Sequence, residues 1–290
     1  MIASRKLHKG QLLLLTLLAL LAFAANSVLC RMALADGLID PAGFTTIRLV
    51  SGALALVMLW LFCSKNPVAE STYTFIHFCA ALALFTYALL FSLAYVQLQA
   101  GAGALVLFGA VQITLILLSI LQGKMPHLIE LFGIVLAFSG LVYLLYPEWG
   151  TPTLMGFVMM LFAGVAWGVY TWLGKGSKNP VHDTRQAFIG CVPLVAIMAL
   201  WWFMPEAWTV WGVVLAVVSG ALTSAMGYAI WYVVLPRLTV IQAGVIQLMV
   251  PVIAALAGVF MLNESITQRL VLASLLVLGG VYLVLLKKAN

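Results

Sequence analysis

The sequence predicts an all-α membrane protein with ten transmembrane helices arranged as two inverted five-helix repeats. Three observations predict it. The chain carries too little charge to cover a soluble surface. It contains ten apolar runs of bilayer length, and it matches itself weakly but repeatedly at an offset of 141 residues.

Composition comes first. Of 290 residues, 65% are hydrophobic and only 8% are charged. A water-facing domain carries roughly 25% charged residues, so most of this surface must face lipid. No polar stretch is long enough to form an appended soluble domain. The four cysteines (Cys30, Cys63, Cys79 and Cys191) lie in or beside apolar runs without CxxC spacing or a Cys/His cluster. They are read as packing residues, and no metal site, disulfide framework or cofactor is expected. The start, Arg5-Lys6-Leu7-His8-Lys9 followed by Leu12–Leu21, has the form of a signal peptide, and Ala22-Phe23-Ala24 would suit cleavage. The apolar run nevertheless continues to Leu34 and has a partner later in the chain, so it is read as a retained first span.

A helix needs about 20 apolar residues to cross the hydrocarbon core. The first five spans are Gln11–Ala35, Gly43–Cys63, Tyr73–Val96, Gly101–Gln122 and Leu128–Tyr146. The second five are Leu154–Gly174, Thr184–Phe203, Val210–Leu235, Ile241–Leu262 and Thr267–Leu286. Breakers separate them, among them Asp40-Pro41, Asn66-Pro67, Pro147, Thr151-Pro152, Asn179-Pro180 and Pro205. Residues 1–147 and 153–290 are the expected halves.

Lys and Arg favour the cytoplasmic side of short loops. A cytoplasmic start puts Arg5, Lys6, Lys9, Lys65, Lys124, Lys175, Lys178, Arg185, Arg237, Lys287 and Lys288 inside, eleven of the fourteen basic residues. Only Arg269 falls clearly outside, with Asp36, Asp40, Glu148, Glu206 and Glu264. Both termini are therefore expected in the cytoplasm of a bacterial-type inner membrane. The net charge of +6 is a topology signal, so no nucleic-acid partner is expected.

At the 141-residue offset, Ala22, Ala25 and Val28 fall on Ala163, Ala166 and Val169. Ala80, Tyr87 and Ala88 fall on Ala221, Tyr228 and Ala229, and Ala102-Gly103, Leu107 and Val111 fall on Ala243-Gly244, Leu248 and Val252. Five spans is an odd number, so the halves enter the bilayer from opposite sides. Inverted repeats of this kind characterise secondary transporters with a midplane site.

Particular motifs carry a family resemblance. The ninth span, from Gln242-Ala243-Gly244 through Pro251 to Leu262-Asn263-Glu264, and the fourth span from Gly101-Ala102-Gly103 to Gln112 resemble the drug/metabolite transporter superfamily, in its ten-helix EamA-type branch. Trp167-Gly168 and Arg48 are similar to further elements of that pattern. Asn263 and Gly123-Lys124 depart from it, as does Asn26-Ser27 where Trp-Gly would stand. The resemblance implies a proton- or gradient-driven exporter of small organic metabolites in a lipid bilayer, as a monomer or weak dimer. Amino-acid-like compounds are the expected cargo, and hydrophobic or cationic drugs are the alternative. Cation/proton exchange usually uses a membrane-embedded carboxylate, and no acid lies at the centre of a span.

Polar groups inside a bundle need partners or roles. Asn26 and Trp167 coincide at the offset and would approach a central site from opposite halves, as would Tyr87 and Tyr228. Gln247 precedes Pro251 by four residues, so the proline frees its carbonyl and makes a candidate hinge. Gln112 is a further substrate-binding candidate. Arg31 and Arg48, near the outer ends of their helices, are read as an outer-mouth attractor for carboxylates or as anchors paired with Asp36 or Asp40, the anchor role being preferred. An intramembrane enzyme would need clustered His, Asp, Glu, Cys or Ser at membrane depth. All four histidines map to the cytoplasmic side, so catalysis is not expected. A channel or receptor is the other rival, and neither explains a duplicated, inverted architecture.

Overall fold

The computed structural model describes residues 8–63, 74–98, 100–123, 125, 127–145, 154–202, 208–262 and 268–286. Among these residues every regular element is helical. The first seven helices are Lys9–Ala35, Pro41–Cys63, Phe75–Tyr95, Ala100–Leu121, Leu128–Leu145, Leu154–Gly174 and Pro180–Trp202. The eighth runs Val210–Val218, continues as π-helix over Ser219–Met226 and finishes as Gly227–Val234. The ninth is interrupted, as Val240–Gln247 and Met249–Leu262, and the tenth is Gln268–Leu286. Eight of the ten meet the length and apolarity needed to cross a bilayer, and shorter apolar stretches lie within the fifth and tenth.

The first helix shows why these segments take their places. Thr16, Ala19, Leu20, Phe23, Asn26, Ser27 and Cys30 recur at three- and four-residue spacing and are buried. Leu13, Leu14, Leu17, Leu18 and Leu21 point outward, exposed on the lipid side. Polar residues therefore gather inside and the apolar surface faces out, as the solvent requires. The helix ends where Gly37 adopts φ +62°, a conformation glycine takes without a Cβ penalty. The amides of Gly37 and Leu38 then close onto the carbonyls of Leu34 and Ala33, satisfying two orphan acceptors.

The packing repeats when the halves are exchanged. The third helix packs on the sixth, and the eighth on the first. The fourth packs on the sixth and the ninth on the first; the second packs on the eighth and the seventh on the third. Second with seventh, fourth with ninth and fifth with tenth are pairs that map onto themselves. Such a pattern requires a pseudo-twofold axis between two interleaved halves. Gly164 brings the fourth and sixth helices together, since a Cβ there would meet Ala110 at 2.6 Å. The fifth and tenth stand together at the periphery.

Two sequence expectations change in detail. The eighth span is not a uniform α-helix, because its middle turns are π-helical. The ninth span breaks at Leu248, three residues ahead of Pro251. Arg5, Lys6, Lys65, Lys124, Glu148, Glu206, Asn263, Glu264, Lys287 and Lys288, and the side chains of Cys63 and Arg269, lie outside the described residues.

Candidate functional site

The π-helical stretch starts the site. A π-turn widens the helix by one residue and commonly marks functional positions. Here it turns Ser219, Thr223 and Ser224 toward Asn26 of the first helix. The Asn26 Oδ1 accepts from Ser219 Oγ at 2.6 Å, from Thr223 Oγ1 at 3.3 Å and from Ser224 Oγ at 3.5 Å. Its Nδ2 donates to the Tyr87 hydroxyl at 3.3 Å. One amide thus ties the first helix to the third and the eighth.

Arg48 lies beside it, with no solvent exposure. Its Nε donates to Ser224 Oγ at 2.9 Å, and its Nη2 donates to Tyr228 at 2.6 Å and to Tyr87 at 3.3 Å. The guanidinium also lies 5.2 Å from the ring centres of both Tyr87 and Phe91, where the π-faces attract a cation. The Nη1 has no hydrogen-bond partner. Asp183 pairs with His77 and His182, and no carboxylate among the described residues pairs with Arg48.

The second half supplies the aromatic wall. The Trp167 ring lies 4.9 Å from Tyr87, 4.6 Å from Tyr228, 5.3 Å from Tyr170 and 5.3 Å from Phe23, centre to centre. Its indole N–H donates to Gln247 Oε1 at 2.6 Å, while Gln247 Nε2 donates to the Ala243 carbonyl at 3.0 Å. The Tyr228 hydroxyl donates to Tyr87 at 3.3 Å. Asn26, Tyr87, Trp167, Tyr228 and Gln247 therefore come together, and all are buried.

Three sequence-derived candidates behave differently. Arg48 contacts two tyrosines and a serine rather than Asp36 or Asp40. It is the eighth residue of its helix, about 10 Å in at 1.5 Å per residue, too deep for those loop residues. Arg31 also lacks the expected acid. Its Nη1 donates to the carbonyls of Tyr95 at 2.7 Å and Val96 at 3.1 Å, at the C-terminal end of the third helix. A cation there meets unpaired acceptors and the negative end of the helix dipole. Gln112 stands apart: neither of its amide atoms has a hydrogen-bond partner. It packs on Gly244 and borders a cleft of about 620 Å³ with Phe138, Ser139 and Tyr143. Ser219, Thr223, Ser224, Phe23 and Tyr170 were not singled out from sequence. Three hydroxyls within six residues of an otherwise apolar span were the available signal.

The ends of the bundle carry two further junctions between halves. At one end, Trp208 Nε1 donates to Asp40 Oδ2 at 2.6 Å, and the Thr209 amide and hydroxyl donate to the Leu38 carbonyl at 2.8 and 2.9 Å. At the other end, Asp183 Oδ1 lies 3.1 Å from both His77 Nε2 and His182 Nδ1, and Oδ2 accepts from Ser177 at 2.6 Å. The Thr74 amide donates to His77 Nδ1 at 3.0 Å. That leaves the Nε2 proton of the neutral ring to reach Asp183. Both junctions join the N-terminus of one half's second helix to the N-terminus of the other half's third.

Ten helices in two interleaved halves, a sealed polar and aromatic cluster on the axis between them, and unlike junctions at the two ends define a membrane transporter of the duplicated type. The chain belongs to the EamA-like transporter family, whose profile matches twice, at residues 10–146 and 154–286. An uncharacterized protein of Pseudomonas aeruginosa is 46% identical over 273 residues, covering 94% of each chain. The threonine/homoserine exporter RhtA of Salmonella typhimurium is 26% identical, over 93% of this chain and 90% of that one. A crystal structure that is 18% identical superposes with a TM-score of 0.79, covering 98% of this chain and 100% of the other. It shares the fold.

Proposed function

We propose that this transporter exports a small amino-acid-like metabolite by alternating access, with the cluster of Asn26, Arg48, Tyr87, Trp167, Tyr228 and Gln247 as its substrate site. The observation that carries the proposal is the position of that cluster. Its groups come from both halves, meet on the pseudo-twofold axis and are closed from both faces. A rocking motion that opens one end junction while the other holds would expose these groups to one side at a time. The break at Leu248 ahead of Pro251, directly after Gln247, gives the ninth helix a point at which to bend. The relative named as a threonine/homoserine exporter supports both the cargo class and the outward direction. The distribution of Lys and Arg supports cytoplasmic termini, which puts the Asp183 junction inside and the Asp40 junction outside.

Counterflow in proteoliposomes, with a panel of radiolabelled amino acids, tests this reading. Saturable counterflow of at least one panel member is the expected result. A flat response across the panel overturns the amino-acid reading.

A further inference from the structure

We propose that Arg48 holds the carboxylate of the transported molecule, and that the site therefore accepts compounds with a free carboxylate and excludes those with net positive charge. The inference rests on the carrier reading above and specifies its chemistry.

The cluster has a surplus of donors. The Asn26 Oδ1 is already taken by the Ser219 hydroxyl, and the Gln247 Oε1 by Trp167. The Tyr87 oxygen accepts hydrogen bonds from Asn26, Arg48 and Tyr228. The Arg48 Nη1 remains without any partner although the residue is fully buried. A group that matches this arrangement only accepts hydrogen bonds and carries negative charge. A carboxylate does both, with two oxygens spaced for the guanidinium fork. The Nη1–Nη2 edge is the one left for a carboxylate, because Nε is committed to Ser224 and the Nη2 contacts are neutral phenols that a carboxylate oxygen outcompetes.

The same groups set a charge rule. A buried guanidinium repels a second cation, and among the described residues no acid is paired with it to compensate. An ammonium accompanying the carboxylate would rest against the aromatic wall that Tyr87, Tyr228 and Trp167 form beside the guanidinium, which suits a zwitterion of zero net charge. Dibasic compounds, quaternary amines and amines lacking a carboxylate fail on both counts. This favours the amino-acid-like reading over the cationic-drug one.

The test uses the full-length chain in lipid nanodiscs, with binding followed by tryptophan fluorescence, to which Trp167 contributes, and by thermal shift. The probes are L-threonine, L-leucine and L-phenylalanine, each beside its methyl ester and its decarboxylated amine. Wild type is expected to bind at least one free acid, with its ester and amine at least tenfold weaker. Arg48→Gln is expected to weaken the acid at least tenfold, and Arg48→Lys, which keeps the charge without the fork, to fall between. A smaller ester-to-acid ratio in wild type overturns the proposal, and that arm needs no variant to fold. A monodisperse Arg48→Gln protein with unchanged affinity also overturns it. If no parent amino acid binds or exchanges, the amino-acid reading itself falls, which separates the two failures.

Discussion

The hydroxyls of Tyr87 and Tyr228 lie 3.3 Å apart, and the residues stand 141 positions apart in the chain. That separation equals the offset at which the two halves match. The pseudo-twofold axis therefore passes between two tyrosines that coincide at that offset, and Arg48 Nη2 bridges them both.

The tyrosine pair acts as a unit. Tyr87→Phe and Tyr228→Phe each remove an acceptor of a charged donor, worth about 1.5–3 kcal/mol. Thermal unfolding of purified protein should show each loss. The double variant should lose less than the sum, because the two share Arg48 and each other. Additivity would show that the hydroxyls are energetically independent.

Asn26→Asp gives the guanidinium an internal anion close by while preserving the acceptor for Ser219. Unfolding temperature should hold or rise, and counterflow of any amino acid should fall at least tenfold as the carboxylates compete. Unimpaired counterflow would argue against the charge role of Arg48.

Gly220 sits where the second and eighth helices touch. A Cβ there would run into the Arg48 carbonyl and the Ser51 hydroxyl. Gly220→Ala should destabilise by about 1–3 kcal/mol through overpacking. Gly101→Ala has open space around the new Cβ and serves as the comparison, with an unfolding temperature at or above wild type.

The end junctions can be separated chemically. Asp183→Asn weakens the bonds from His77, His182 and Ser177, whereas Asp40→Asn weakens that from Trp208. In proteins retaining Cys191 alone, maleimide labelling from the side of the Asp183 junction should speed up in the Asp183 variant and stay unchanged in the Asp40 variant. Equal rates in both would show that these contacts do not hold the ends closed.

Some of this was readable from the chain and some was not. Long apolar runs announce membrane helices because lipid permits no other lining, and the offset placed Tyr87 opposite Tyr228 and Asn26 near Trp167. Arg48 illustrates the limit. Its partners Ser224 and Tyr228 lie 176 and 180 residues away, so local reading favoured the nearby acids Asp36 and Asp40. The π-helical register was likewise hidden, since Ser219, Thr223 and Ser224 also suit an ordinary α-helix. Gln112 shows the converse. A polar residue deep in a span need not join the central cluster, and this one packs against Gly244.

Arg48 has no counterpart in the second half. Beside Tyr228 the seventh helix places Phe188 instead, fully buried with its ring centre 6.0 Å from that of the tyrosine. Two identical half-length chains assembled about a true twofold would place either two arginines beside the paired tyrosines or none. Two buried cations that close would repel, and none would leave an anion unheld. Fusing the halves into one polypeptide removes that constraint, because it allows an odd number of charges next to a symmetry axis. The duplicated gene thus offers a solution closed to a homodimer.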